Sequence, residues 1–505
     1  MFEYDFSQLL TVSNILFVFA GSFIGLLVGA MPGMGTALAI VLLLPFSYTM
    51  PPLTAILMLL AAYQGAEYGG SISSITLGIP GTPSAAATVL DGYAMSKNGE
   101  PGKAIGYSLF ASAVGGLLGA LALLFLTEPL AQFSLRFNAP DFCMLGLIAI
   151  FAIITISSKQ LLKGLISVFL GLILSTVGTD TFTGAARFTL GVSGLLDGVY
   201  NVSIAIAVFA IPEILCIVTS SLHTKYVSSR KKMVSRLKPK EMLSVAPQVA
   251  SGSVIGAVIG IFPGLGGAVA AWMSLLFAQK TAKDPEKFGT GDRRGIAAPE
   301  AANNASVAGA LIPELALGIP GSAAIAVIAS AFMVHGVKVG PSLFTTDVNL
   351  LYGIYFGFFL SVVALYILGR LLTPFFSKIL SIEGALLVPI ILIFLIVGAY
   401  TGKKMFVHLW VALIIGVICY FLKRAQYPLA PIMIAYVLGP MIEENYRRSL
   451  DLSKGSLSIF VQSTCSKVIF AALVFVCLFP LLKFLKRIIF KPKGRTLEDI
   501  GDDNG

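Results

Sequence analysis

Long apolar runs that are broken twice, in the same way, in each half of the chain set the tightest limit on its fold. "LGIPG" occurs as Leu77 to Gly81 and again as Leu317 to Gly321, and each copy follows another Pro-Gly pair, "MPGMG" at Met31 to Gly35 and "FPGLGG" at Phe262 to Gly267. Runs long enough to cross about 30 Å of hydrocarbon lie at roughly 12–30, 106–127, 143–157, 161–177, 200–222, 348–369, 384–399, 406–422 and 467–489. Shorter or interrupted runs at 36–46, 53–68, 72–90, 252–279, 304–334 and 427–438 bring the expected total to about ten to twelve crossings. The runs are continuously apolar and do not alternate, so they predict helices and not the strands of a barrel. A chain of 505 residues that is 56% hydrophobic and only 12% charged has more apolar surface than a soluble core can hide, which makes it an integral membrane protein.

The formal charge of +10 does not point to nucleic acid, because the basic residues gather in short loops and the tail. Between 223 and 240, "HTKYVSSRKKMVSRLKPK" carries seven Lys or Arg and no acid, and Lys483 to Arg495 carries six. The positive-inside tendency assigns both segments to the cytoplasm. Five cysteines lie singly and three histidines lie far apart, which suggests neither a disulfide framework nor a zinc site. The opening "MFEYDF" lacks a basic region, so the first apolar run is expected to stay in the protein as a membrane helix.

The run 252–279 lies between the basic loop and "KTAKDPEKFGTGDRR" at 280–294, and therefore predicts a re-entrant hairpin turning at Pro263-Gly264. The matching first-half hairpin is flanked by the acidic N-terminus and by "PFSYTMPP", which suggests the opposite face. "GLLVGAMPGMGTALA" at 25–39 matches "GAVIGIFPGLGGAVA" at 256–270 in its Gly-x-x-x-Gly and Pro-Gly-x-Gly spacing. Pro32 to Pro80 spans 48 residues and Pro263 to Pro320 spans 57. The expected architecture is an all-α polytopic membrane protein with re-entrant or broken helices and two inverted-topology repeats. Its units are a first half at 1–222, a basic cytoplasmic linker at 223–250, a second half at 251–465, a C-terminal membrane helix at 466–489 and a cytoplasmic tail at 490–505.

Each break joins a Pro without an N–H to a Gly free of steric limits on φ, so two half-helices can meet with their ends exposed. A helix that starts just after the break points unpaired N–H groups and partial positive charge into the gap, and can hold an anion without a buried Lys or Arg. The candidate substrate-binding residues are Pro32, Gly33, Gly35, Thr36, Pro80, Gly81, Thr82 and Ser84, with Pro263, Gly264, Gly267, Pro320, Gly321 and Ser322 in the second half. For Gly25-x-x-x-Gly29 and Gly256-x-x-x-Gly260 the reading is close helix packing. Gln64, Glu67, Asn303 and Asn304 are the candidates for a coupling ion, the alternative being hydrogen bonds between helices. Asp91 reads as a loop residue, Glu300 as a cap at the start of its helix, and His335 as a turn residue. The "GMG" and "GLGG" stretches lack the strand, helix and downstream acid of a dinucleotide fold, and no Gly-Lys-Ser/Thr loop or catalytic grouping is present, so no cofactor or resident metal is expected.

Four stretches carry a resemblance: "GLLVGAMPGMGTALAIVLLLPFSYTM", "YQGAEYGGSISSITLGIPGTPSAAATVLDGYAMSKNGEPGKA", "GIAAPEAANNASVAGALIPELALGIPGSAAIAVIASAFMVHGVKVGP" and "YPLAPIMIAYVLGPMIEENYRRSL". Together they resemble the large transmembrane subunit of the tripartite tricarboxylate transporters, the TctA family. The resemblance implies a secondary transporter of a bacterial or archaeal inner membrane that takes up citrate or other di- and tricarboxylates with Na⁺ or H⁺. It also implies two partners, a small four-helix TctB-like membrane subunit and an extracytoplasmic TctC-like solute-binding protein. The family's signature falls on Gly29, Pro32, Gly33, Gly35, Tyr68, Gly69, Gly70, Ile79, Pro80 and Gly81, and in the second half on Pro263, Gly264, Gly267, Asn303, Asn304, Pro320 and Gly321. An anion channel and a membrane-embedded enzyme are the alternatives from other classes.

Overall fold

The computed structural model describes residues 5–157, 161–220, 237–375, 384–401 and 403–489. Helix dominates them, as apolar runs require where lipid offers the backbone no hydrogen bonds. The first half contains α1 (Val12–Ala30), α2 (Gly35–Ser47), α3 (Pro52–Leu77), α4 (Ala86–Lys97), α5 (Pro101–Ser134), α6 (Ala139–Ser157) and α7 (Leu161–Ser175). A two-stranded antiparallel pair, β1 (Gly178–Thr179) and β2 (Ala186–Arg187), then leads into α8 (201–220), which has a π-helical turn at Ile206–Ala210. The second half contains α9 (Ala246–Ile261), α10 (Gly266–Thr281), α11 (Arg293–Leu317), α12 (Ala323–Val334), α13 (Val348–Leu372), α14 (Gly384–Thr401), α15 (Phe406–Arg424) and α16 (Ala430–Leu452), and α17 (Thr464–Ile489) follows. Most of the basic segment 223–240, and the tail 490–505, lie outside the described residues.

Five of the described helices are long and apolar enough to cross a membrane, among them α1, α5 and α15, and several apolar helices are shorter. Both arms of the 252–279 run are short: α9 and α10 have 16 residues each, which at 1.5 Å per residue is about 24 Å. They pack against each other across the turn at Pro263-Gly264, so this run forms a helical hairpin. The chain is an all-α multi-pass membrane protein.

Gly-x-x-x-Gly spacing works here as packing. A Cβ added at Gly25 or Gly29 would lie 2.2 Å from the carbonyl oxygen of Ala62 or Ala66, so only glycine lets α1 lie directly on α3. In the second half a Cβ on Gly256 would lie 2.1 Å from the Ala302 carbonyl, and α9 lies on α11 in the same way. Contacts between the halves are reciprocal. The helix after the first break in one half packs near the segment after the second break in the other: α2 on α12, and α10 on α4.

Two acids differ from their sequence reading. Asp91 is not a loop residue: it lies in α4, fully buried, and accepts the backbone N–H groups of Gly289, Gly291 and Asp292 at 2.8, 3.0 and 2.7 Å. It thereby ties the first half to the loop that starts α11. Glu300 is not a cap, because Asp292 caps α11 by accepting the Arg294 N–H at 2.8 Å and Glu300 lies two turns further in.

Candidate functional site

The breaks satisfy their own backbone. Gly33 and Gly264 reverse the chain at φ +82° and +86°, a region that side chains disfavour. Helices α3 and α11 end at Gly78 and Gly318, whose N–H groups donate to the carbonyls of Ser74 and Glu314. The chain then doubles back, so that Gly81 N–H donates to Gly70 and Gly321 N–H to Ala310, both at 3.2 Å. The first break bonds the second in each half: Gly35 N–H donates to the Gly81 carbonyl at 3.2 Å, and Gly264 N–H to that of Gly321 at 3.0 Å. Non-helical backbone that lipid could not satisfy is thus paired with protein.

These turns surround a cavity of about 650 Å³ between the halves. The first turns of three helices line it: Gly35 to Leu38 of α2, Gly266 to Ala268 of α10, and Ala323 and Ala324 of α12. First-turn N–H groups have no partner within their own helix, so this wall carries partial positive charge. Of the candidates, Gly33, Gly35, Thr36, Pro80, Gly81, Thr82 and Ser84 line the cavity from the first half, and Gly264, Gly267 and Ser322 from the second. Pro32, Pro263, Pro320 and Gly321 are not part of this lining and belong to the turns themselves. The break at Pro80-Gly81 runs into a 3₁₀ turn at Pro83–Ala85, and the α-helix begins only at Ala86.

Glu67 faces the cavity with little exposure. It accepts Thr36 Oγ1 at 2.8 Å and also Ser84 Oγ, whose oxygen lies 3.1 Å from Thr82 Oγ1. Across the interface, the Tyr63 hydroxyl lies 3.1 Å from Ser322 Oγ. Asn303 lies behind this group: its Oδ1 is 2.8 Å from where a Cβ on Gly267 would sit, and its buried amide stands beside the Glu67 carboxylate.

Gln64 and Asn304 do not join the cavity. Both are buried between helices: Gln64 Nε2 presses on Gly116 of α5, and Asn304 Nδ2 donates to the Glu300 carbonyl at 3.2 Å. Glu300 is fully buried away from the cavity and accepts four hydroxyls from the first half, those of Ser71, Thr88, Ser108 and Ser112. Four donors match the lone-pair capacity of a carboxylate, so this cluster joins α3, α4 and α5 to α11.

Sequence reasoning missed Tyr63, Glu213 and Lys423, all of which line the cavity. Glu213 of α8 forms an ion pair with Lys423 of α15, with the side chains 14% and 37% exposed. A lone acid in the apolar run "FAIPEILC" is the signal that could have marked Glu213. Lys423, in "FLKRAQYP", reads locally as the basic flank of a membrane helix.

The chain is similar to known proteins over nearly all of its length. A family model described as "Tripartite tricarboxylate transporter TctA family" matches residues 15–434. An "Uncharacterized 52.8 kDa protein in TAR-I ttuC' 3'region" of Agrobacterium vitis is 33% identical over 488 residues, covering 96% of this chain and 97% of that protein. An "Uncharacterized protein in TAR-II ttuC' 3'region" of the same organism is 34% identical over 206 residues, covering 41% of this chain and 85% of that protein. No solved structure matches.

Proposed function

Because the chain belongs to the TctA family of tripartite tricarboxylate transporters, a family of transporter subunits and not of enzymes, we propose that it performs secondary active uptake of a di- or tricarboxylate through the cavity between its halves. The observation that carries this reading is the convergence of three helix N-termini on one cavity. Such ends hold a carboxylate by backbone N–H groups and dipole charge, and release it when the ends separate.

Coupling follows from the charges in the same space. Glu67, Glu213 and Lys423 line the cavity, and with Lys423 paired to Glu213 one carboxylate is left over. An incoming anion and an ionised Glu67 repel each other in a low dielectric, so the substrate enters with a cation or proton that neutralises Glu67. Na⁺ or H⁺ is the coupling ion, with Asn303 as the amide beside it. The two halves act as inverted-topology repeats of an inner-membrane protein, and one moves against the other to expose the cavity on alternate sides. A TctC-like binding protein delivers the anion from outside, and a TctB-like four-helix subunit completes the membrane complex.

The test is uptake of radiolabelled citrate, malate, tartrate and succinate into proteoliposomes that hold this chain, its small subunit and its binding protein. Na⁺ and H⁺ gradients are imposed separately. Accumulation that follows one gradient supports symport and identifies the ion. Flux of a panel anion that ignores both gradients and only equilibrates it supports a channel and overturns the reading.

A further inference from the structure

An anion site held by helix ends alone would need no cation, yet a lysine lines this one. Lys423 is in the last turn of α15, where a basic residue often just complements the helix C-terminus. Its neighbour Arg424 takes a local partner, donating to Tyr420 one turn back at 3.2 Å. Lys423 instead crosses to α8, where its Nζ bonds a carboxylate oxygen of Glu213.

Glu213 itself sits against the broken helix. Its Oε1 lies 3.5 Å from the position a Cβ would take on Gly33, in the turn just ahead of the first residues of α2. A carboxylate of the protein therefore stands between a lysine and the turn before a helix N-terminus. The pair bridges the halves: Glu213 comes from the first and Lys423 from the second.

We propose that Lys423 is the cationic anchor for one carboxylate of the transported anion, and that Glu213 keeps its place in the empty cavity. This rests on the transport reading above. The arriving carboxylate replaces Glu213 as the partner of Lys423 while the helix ends take another, and the freed Glu213, like Glu67, is neutralised by an accompanying proton or cation. Breaking the Glu213–Lys423 link as the anion binds couples occupancy to the contact between the halves. A di- or tricarboxylate is thereby preferred over a monocarboxylate, which can satisfy either the lysine or the helix ends but not both.

Steady-state uptake by the full complex in proteoliposomes decides it, with the same four radiolabelled anions as probes. Uptake by the wild-type complex tests the transport reading alone, and the variants then test Lys423. Lys423→Gln is expected to raise KM at least about tenfold, as loss of a charge-assisted hydrogen bond does. Glu213→Gln is expected to lower KM, because a competitor for the lysine is gone. The double variant Glu213→Gln/Lys423→Gln leaves no unpaired charge to disturb folding, and is expected to keep the raised KM. A wild-type KM in the double variant would overturn the proposal.

Discussion

The backbone N–H of Gly264 donates to the carbonyl of Gly321 at 3.0 Å, joining two Pro-Gly breaks that lie more than fifty residues apart. Neither break is a free loop: each gives the other the hydrogen bond that lipid cannot.

Gly321→Ala tests that junction. An added Cβ would lie 2.6 Å from both the Cα and the carbonyl oxygen of Ala310, and backbone cannot swing aside as a side chain can. We expect a loss of about 1–3 kcal/mol in stability, read as a lower Tm of the purified complex, with a fall in uptake. Wild-type melting and uptake would mean that the turn is looser than described.

Glu67→Gln separates coupling from binding. Glutamine keeps most of the shape of a neutral Glu67 but carries no charge to be neutralised. Gradient-driven accumulation should fall at least about tenfold, while exchange of labelled for unlabelled anion across the membrane persists. Accumulation that still follows the ion gradient would remove Glu67 from the coupling step.

Glu300 should behave differently, because its four hydroxyl partners lie away from the cavity. Glu300→Ala leaves those donors buried and unpaired, at a cost of about 1–3 kcal/mol or more. The expected result is a large fall in Tm with the ion dependence of any remaining uptake unchanged. A changed ion dependence at normal Tm would move the coupling site to Glu300.

Asp180 predicts a pH effect at the connection between α7 and α8. The Phe182 N–H, the Thr183 hydroxyl and then Arg447 hold its carboxyl down to about 2. A carboxyl lowered on folding contributes its stability above its unfolded value of about 4, and loses it as pH falls through the folded value. The Tm difference between wild type and Asp180→Asn should therefore stay constant above about pH 5 and shrink between about pH 4 and 2. A difference that shrinks near pH 6 would assign the effect to another group.

What the sequence by itself determined is local. Continuous apolar runs have one way to satisfy their backbone in lipid, so the helices were readable, and Pro-Gly pairs mark where φ and a missing N–H end them. The Gly-x-x-x-Gly spacing of Gly25 and Gly29 foretold close packing because the constraint lies within one turn of one helix. Duplication made it visible that Gly33 and Gly264 belong to one design. The partners of single polar groups were decided only by the tertiary structure. Glu300 looked like a cap, since nothing near it in sequence reveals Ser71, Thr88, Ser108 and Ser112. Asp91 looked like a loop residue because its three N–H donors come from residues about two hundred positions away. Lys423 looked like a membrane flank because Glu213, 210 residues earlier, meets it only when α8 and α15 pack. A buried charge is settled by what surrounds it in space, and no local pattern encodes those surroundings.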